Sequence, residues 1–246
     1  MTDSRLIPNL FDRLQTEVHV WFCQPPLIED KSKLSEYKSL LSEQETERYH
    51  RFHFDTDRHS YLVSHALLRQ SLSRYSDVHA SQWQFLNNEH GKPQLSSSSA
   101  LPGVYFNLTH TSGLSACVVT LKKLCGIDAE YIHRKNNLKS VAQRMFADEE
   151  LAQLKDDTIK QQFYRLWTLR EAYVKALGIG LAGSSKQFYF DIGRENSGAR
   201  LNWQKSSYDK GDDWHFRLYE PTPDHVLAVG YQSQEEVKVL MSEVTP

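Results

Sequence analysis

At 246 residues, 39% of them hydrophobic and 24% charged, the chain is long enough for one large domain or two small ones with real cores. A formal net charge of −2 sets it apart from polyanion-binding proteins, so nucleic acid is not an expected partner. No apolar run reaches the length of a membrane span, no hydrophobic leader follows Asp3 and Arg5, and the three cysteines (Cys23, Cys117, Cys125) lack metal-ligand spacing; the expectation is a cytoplasmic protein with reduced thiols and no membrane association.

In chain order, Val18 to Phe22 alternates like a strand. A helical region is expected from Ser42 to Tyr75, with Tyr61, Leu68, Leu72 and Tyr75 on one stripe. A short strand at Trp83-Gln84-Phe85 follows, then a polar loop over Ser96 to Ala100. A hairpin is expected from Val104 to Leu121, turning at Thr111-Ser112-Gly113. Past Lys122-Lys123-Leu124 the plan starts again. Cys125 to Ile132 reads as a strand, and Asp148 is the N-cap of a helical region that ends at Leu177, with Gly178 as its stop. Phe188-Tyr189-Phe190 is a strand, Arg194 to Ala199 a polar loop, and Trp214 to Tyr231 a closing hairpin around Pro221-Thr222-Pro223-Asp224.

Corresponding elements are offset by roughly 100–110 residues, which suggests an internal repeat carried by element order rather than identity. The expected fold is α+β, with two similar α/β subdomains over residues 1–122 and 123–246. Each has a mainly antiparallel sheet on helices, and the two are related by a pseudo-twofold axis. Clefts between such units are common ligand sites.

Two segments carry the chemistry. Along Gly126-Ile127-Asp128-Ala129-Glu130, alternation puts the Asp128 and Glu130 carboxylates on one strand face. In Trp167 through Lys175, Glu171 and Lys175 lie one helical turn apart. Either segment alone is read more simply as a solvated strand face or an i,i+4 pair. Together, with Arg170 on the apolar stripe of Phe163, Trp167, Val174 and Leu177, they suggest charges held in an interior cleft. A hard divalent cation and a phosphate ester would partner them there.

Further phosphate contacts are expected from Thr109 and His110 at a strand end and from Lys92 in the Gly91-Lys92-Pro93 turn. Arg48, Arg51 and Arg58 share a face if their helix is continuous, with Arg69 further along. Each of these is, taken singly, more often solvated surface. His50-x-x-His53 has no companion ligands for zinc, and neither a nucleophile elbow nor a Walker or dinucleotide fingerprint occurs.

Four segments in this order resemble the large, pseudodimeric (Sfp-type) 4′-phosphopantetheinyl transferases: Gly91-Lys92-Pro93, Phe106-Asn107-Leu108-Thr109-His110, Gly126 to Glu130, and Trp167 to Lys175 with Ala176-Leu177-Gly178. The similarity spans roughly residues 40 to 190. It departs from the family at Arg170, usually Lys, and at Thr109, usually Ser, keeping a positive charge and a hydroxyl.

The resemblance implies transfer of 4′-phosphopantetheine from coenzyme A to a serine of an apo acyl or peptidyl carrier protein, releasing 3′,5′-ADP. It implies Mg²⁺ held by Asp128, Glu130 and Glu171. Glu171 would be the general base, with Glu130 second choice, and Lys175 would stabilise the phosphate and leaving group. Thr109, His110, Lys92, Arg58 and Arg51 would contact coenzyme A phosphates. A monomer is expected, the repeat supplying the twofold seam. The alternatives are a Mg²⁺-dependent phosphohydrolase acting on coenzyme A-like pyrophosphates and a non-catalytic module that binds coenzyme A or carrier protein.

Overall fold

The structure, a computed structural model, describes residues 9–96, 100–134, 137–180, 186–193, 198–204 and 213–246. The first half runs α1 (Leu10–Arg13), β1 (Glu17–Cys23), α2 (Lys31–Leu40), α3 (Glu43–Arg51), α4 (Asp55–Ser73), β2 (Phe85–Asn87), β3 (Pro93–Leu95), β4 (Val104–Thr111) and β5 (Leu114–Leu121). The second runs β6 (Cys125–Tyr131), α5 (Leu138–Met145), α6 (Asp148–Leu151), α7 (Ile159–Leu177), β7 (Phe188–Ile192), β8 (Gly198–Trp203), β9 (Trp214–Thr222), β10 (His225–Gln232) and β11 (Lys238–Glu243).

The fold is α+β, and the repeat is visible in strand order. Of the two large sheets one runs β11-β1-β5-β4 and the other β6-β10-β9-β8-β7, while β2 and β3 pair separately. In each half a leading strand pairs with the second strand of a later hairpin, as β1-β5-β4 and as β6-β10-β9. The two sheets face each other across an apolar core of Val18, Val20, Leu114, Ala116, Val118, Cys125, Ile127, Ala129, Leu227 and Val229. On the outer faces, α4 covers the first sheet and α7 the second, through separate cores. Helix, sheet, sheet and helix make four layers. Strand β5 is buried on both sides because its even residues face the other sheet, while Cys117 and Val119 face the first-half helices.

Several expected elements are corrected. The helix expected over 42–75 is two, because Phe52 and Phe54 are extended between α3 and α4. Charge complements the break: Arg48, His50 and Arg51 sit at the carbonyl end of α3, and Asp55 and Asp57 at the amide end of α4. The helix expected over 148–177 is likewise α6 and α7. Asp148 is its first residue rather than its cap, and the Glu150 carboxylate reaches back to accept from the Ala147 N–H at 3.0 Å. Of Trp83-Gln84-Phe85 only Phe85 is strand. Residues 97–99 and 194–197 of the two expected loops lie outside the described residues, and Gly198 and Ala199 open β8. Strand β11, from the second half of the chain, pairs parallel to β1 in the first sheet.

Candidate active site

Alternation along β6 sends Cys125, Ile127 and Ala129 into the core between the sheets and turns Gly126, Asp128 and Glu130 toward α7. Gly126 is what lets the helix come so near. A Cβ there would lie 2.0 Å from the Ala172 carbonyl oxygen and 2.5 Å from the Ala176 nitrogen. With strand and helix this close, the Lys175 ammonium donates to Asp128 Oδ1 at 2.6 Å and to Thr109 Oγ1 at 3.2 Å.

Thr109 arrives from β4, the edge of the first sheet, where it meets β6, the edge of the second. Its hydroxyl donates to Asp128 Oδ1 at 3.3 Å. An outward N–H on an edge strand needs an acceptor, and the buried Asn107 carboxamide supplies one, Oδ1 accepting from Ile127 N–H at 3.0 Å. The site therefore draws on three elements, β4, β6 and α7.

The carboxylates oppose one another. Burial, then the charges of Asp128 and Glu130, push the Glu171 carboxyl up to about 7, although Lys175 and Arg170 pull it down. Burial raises Asp128 against the pull of Lys175 and Thr109. Burial and the Asp128 charge raise Glu130 against Arg134, whose Nη1 lies 3.1 Å from Glu130 Oε2. Asp128 Oδ2 is buried and has no hydrogen-bond partner, and Glu130 Oε2, also buried, has only its ion pair with Arg134.

Among the described residues no three His, Cys, Asp or Glu side chains stand grouped as a ready metal site; the Lys175 ammonium sits in contact with Asp128. The residues nonetheless fit a hard cation. An orphaned buried oxygen of Asp128, a Glu130 oxygen paired only with Arg134, and a third carboxylate strained by like charge are the oxygen donors Mg²⁺ favours.

His110 is exposed at the end of β4, beside this group. Crowding, then the positive charges of Lys175, His65 and Arg48, hold its imidazole below the usual value, and for an exposed ring the charges are the firmer cause.

The structure does not gather every expected residue. Arg51, 78% exposed, pairs with Glu47 at the end of α3. Arg58 donates to the Phe52 carbonyl and to Asp55. Arg69 is buried on Glu45 and on the Ala80 and Trp83 carbonyls, and Arg170 is buried on Glu150, away from the site. Lys92 donates to the Ala176 and Cys125 carbonyls at 2.8 and 3.3 Å. It lines, with Glu171, Lys175, Asn107, His90 and Gly178, a cavity of about 280 Å³ at the edge of the site. Sequence reasoning missed the roles of Asn107, His65 and Arg134; only Arg134 left a signal, four residues beyond Glu130 and matching it in parity.

A model of the 4′-phosphopantetheinyl transferase superfamily matches residues 124–230, and one of the 4′-phosphopantetheinyl transferase N-terminal region matches residues 29–121. The 4′-phosphopantetheinyl transferase HetI of Nostoc sp. is 37% identical over 178 residues, 71% of this chain and 74% of that protein. The 4′-phosphopantetheinyl transferase Sfp of Bacillus subtilis is 30% identical over 160 residues, 64% of this chain and 68% of that one. The solved holo-[acyl-carrier-protein] synthase (AcpS) of Thermotoga maritima overlaps 46% of this chain and 64% of its own, at a TM-score of 0.36 and 23% identity, too loosely to carry a fold assignment. With a family match in each half and a relative of this identity and coverage, the chain belongs to the 4′-phosphopantetheinyl transferase superfamily.

Proposed function

We propose that this protein transfers the 4′-phosphopantetheine of coenzyme A to a serine hydroxyl of an apo acyl or peptidyl carrier protein, giving the holo carrier and 3′,5′-ADP. The observation that carries this reading is the meeting of Asp128 and Glu130 from β6 with Glu171 and Lys175 from α7, against Thr109 and His110 from β4.

In the reaction the serine oxygen forms a bond to the phosphorus that carries pantetheine, and the bridging P–O bond to 3′,5′-ADP breaks. Such a transfer is governed by positioning and by stabilising charge on phosphoryl oxygens. Glu171 takes the serine proton: in the metal-free protein burial and its carboxylate neighbours raise it to about 7, and beside a bound cation it would return to the ionised form a base needs. Glu130, also raised, is the second choice. Lys175 places its ammonium where charge grows on the leaving 5′-phosphate of 3′,5′-ADP, and Thr109 and His110 bind phosphate oxygens beside it. Asp128, Glu130 and Glu171 would hold Mg²⁺, whose charge when bound neutralises the pyrophosphate oxygens.

The free, buried Cys23, Cys117 and Cys125 suit a reducing cytoplasm, and no helix among the described residues is long and apolar enough to cross a membrane. Because one chain supplies both sheets of the seam, we take the working form to be a monomer.

The test is intact-mass spectrometry of an apo acyl carrier protein incubated with this protein, coenzyme A and Mg²⁺. The expected result is the addition of one phosphopantetheine at the carrier serine, abolished by EDTA. Coenzyme A cleavage without a modified carrier would mean a hydrolase, and intact coenzyme A across several carrier types a binding module.

A further inference from the structure

We infer that Lys92 is a positioning residue, a clamp that fixes the two site-bearing elements of the second half against each other, rather than a phosphate contact. The inference rests on the transferase reading above and deepens it.

Asp128 and Glu130 lie on β6, and Glu171 and Lys175 on α7. One ammonium touches the ends of both. Lys92 Nζ donates to the carbonyl of Ala176, next to Lys175, and to that of Cys125, three residues before Asp128. The Ala176 carbonyl lies in the last turn of α7, where helix carbonyls lack partners and the helix dipole favours a cation.

The turn that carries Lys92 is itself locked. Asn88 Oδ1 accepts from the Lys92 N–H at 2.8 Å and the His90 N–H at 3.0 Å, and the Asn88 N–H donates to the Lys92 carbonyl at 3.0 Å. Gly91 completes the turn at φ +82°. Asn88 Nδ2 then donates to the Gly178 carbonyl at 2.9 Å, so the same turn grips the helix twice, at Ala176 and at Gly178. Gly178 sits at φ +68°, and a Cβ there would meet Asn88 Nδ2 at 2.8 Å; the contact requires glycine.

The turn belongs to the first half of the chain and the elements it grips to the second. The clamp therefore sets the spacing between the carboxylates and Lys175 from outside their own subdomain. A displacement of about 1 Å between reacting groups can cost on the order of 10²-fold in rate, so such a clamp acts on turnover more than on binding.

The experiment compares Lys92→Met and Lys92→Arg with wild type for kcat, KM and the dissociation constant of coenzyme A, in parallel with dephospho-coenzyme A. The expected result for Lys92→Met is a ~10- to 100-fold fall in kcat, with coenzyme A affinity changed less than ~3-fold and the same loss for both substrates. Lys92→Arg, which keeps the charge and the donors, restores most of the rate.

A phosphate contact would instead raise the dissociation constant with kcat retained, and its loss would shrink with the dephospho substrate. That outcome, or no change in either constant, overturns the inference. Should Lys92→Met fail to fold, Lys92→Gln is read by the same ratios. Amide exchange supplies a readout without turnover: residues 174–178 should exchange faster in the variant, and unchanged protection refutes the clamp. Wild type that modifies no carrier would sink the transferase reading while this exchange measurement still decides the clamp.

Discussion

Glu171 is held at a cost to stability. Its carboxyl, ordinarily near 4.5, titrates at about 7 because burial and two neighbouring carboxylates disfavour its charge. The folded chain thus holds this proton more tightly than the unfolded chain does. The group's contribution to stability is complete below pH ~4.5 and is lost as pH rises through ~7. At pH 8 the ionised side chain costs on the order of 2–3 kcal/mol relative to a neutral isostere. Glu171→Gln should therefore raise the melting temperature of the metal-free protein at pH 8 but not at pH 4.5, while lowering turnover on the order of 10²-fold or more. A thermal melt at both pH values and the carrier-modification assay measure the two effects. A variant with full activity and an unchanged pH 8 melt would leave Glu171 with neither role.

At the scale of elements, the site depends on how closely a helix approaches a strand. The van der Waals space a methyl needs at Gly126 is taken by the backbone of α7 at Ala172 and Ala176. Gly126→Ala must push the helix away or bend the strand, an overpacking that costs typically ~1–3 kcal/mol and sometimes more. The expected outcome is a lowered melting temperature, and in whatever folded protein remains, a fall in kcat as Lys175 separates from Asp128. Unchanged melting and turnover would show the contact to be looser than drawn.

Element order was legible in the sequence where patterns are local: the hairpin β4–β5 turns at Ser112 and Gly113, as its Thr-Ser-Gly signal suggests, and Gly178 ends α7. The helix breaks at 52–54 and 152–158 were missed: apolar residues flank the first, at Phe52 and Phe54, and the polar run Lys155 to Thr158 at the second was read as part of the helix. Only the switch from basic to acidic residues marked the first. Buried charge misled in the same way. Arg170 stands on the apolar stripe of α7, but its partner is Glu150, pulled into the core from α6. The motif residues of β6 and α7 were readable as a set, whereas the tasks of Asn107 and Lys92 arise only where two separate parts of the chain meet.

Over the whole molecule, the two halves are joined by more than their shared core. Strand β11 leaves the second half and pairs parallel to β1 from Glu17 opposite Lys238 to Phe22 opposite Glu243. The Val244 N–H then donates to the Phe22 carbonyl, the Gln24 amide to Glu243, and the Tyr37 hydroxyl to the Pro246 carbonyl. Deleting residues 238–246 removes no proposed active-site group. It should nonetheless lower the melting temperature by ~10 °C or more, since at this chain length each kcal/mol is worth ~2–4 °C. It should also reduce the yield of active enzyme far more than the specific activity of the folded fraction. A melt matching the full chain would make the strand an ornament.

That same strand sets a timetable for a chain that leaves the ribosome one end first. β1 emerges well ahead of the neighbour that covers its outer edge, which is more than two hundred residues behind it. Until that neighbour arrives, β1 presents a bare row of amides and carbonyls, open to another nascent chain. The first subdomain can collapse onto α4 while it waits, yet its sheet cannot close. Conditions that slow translation between these two strands should thus expose this protein to aggregation through β1 rather than through β11.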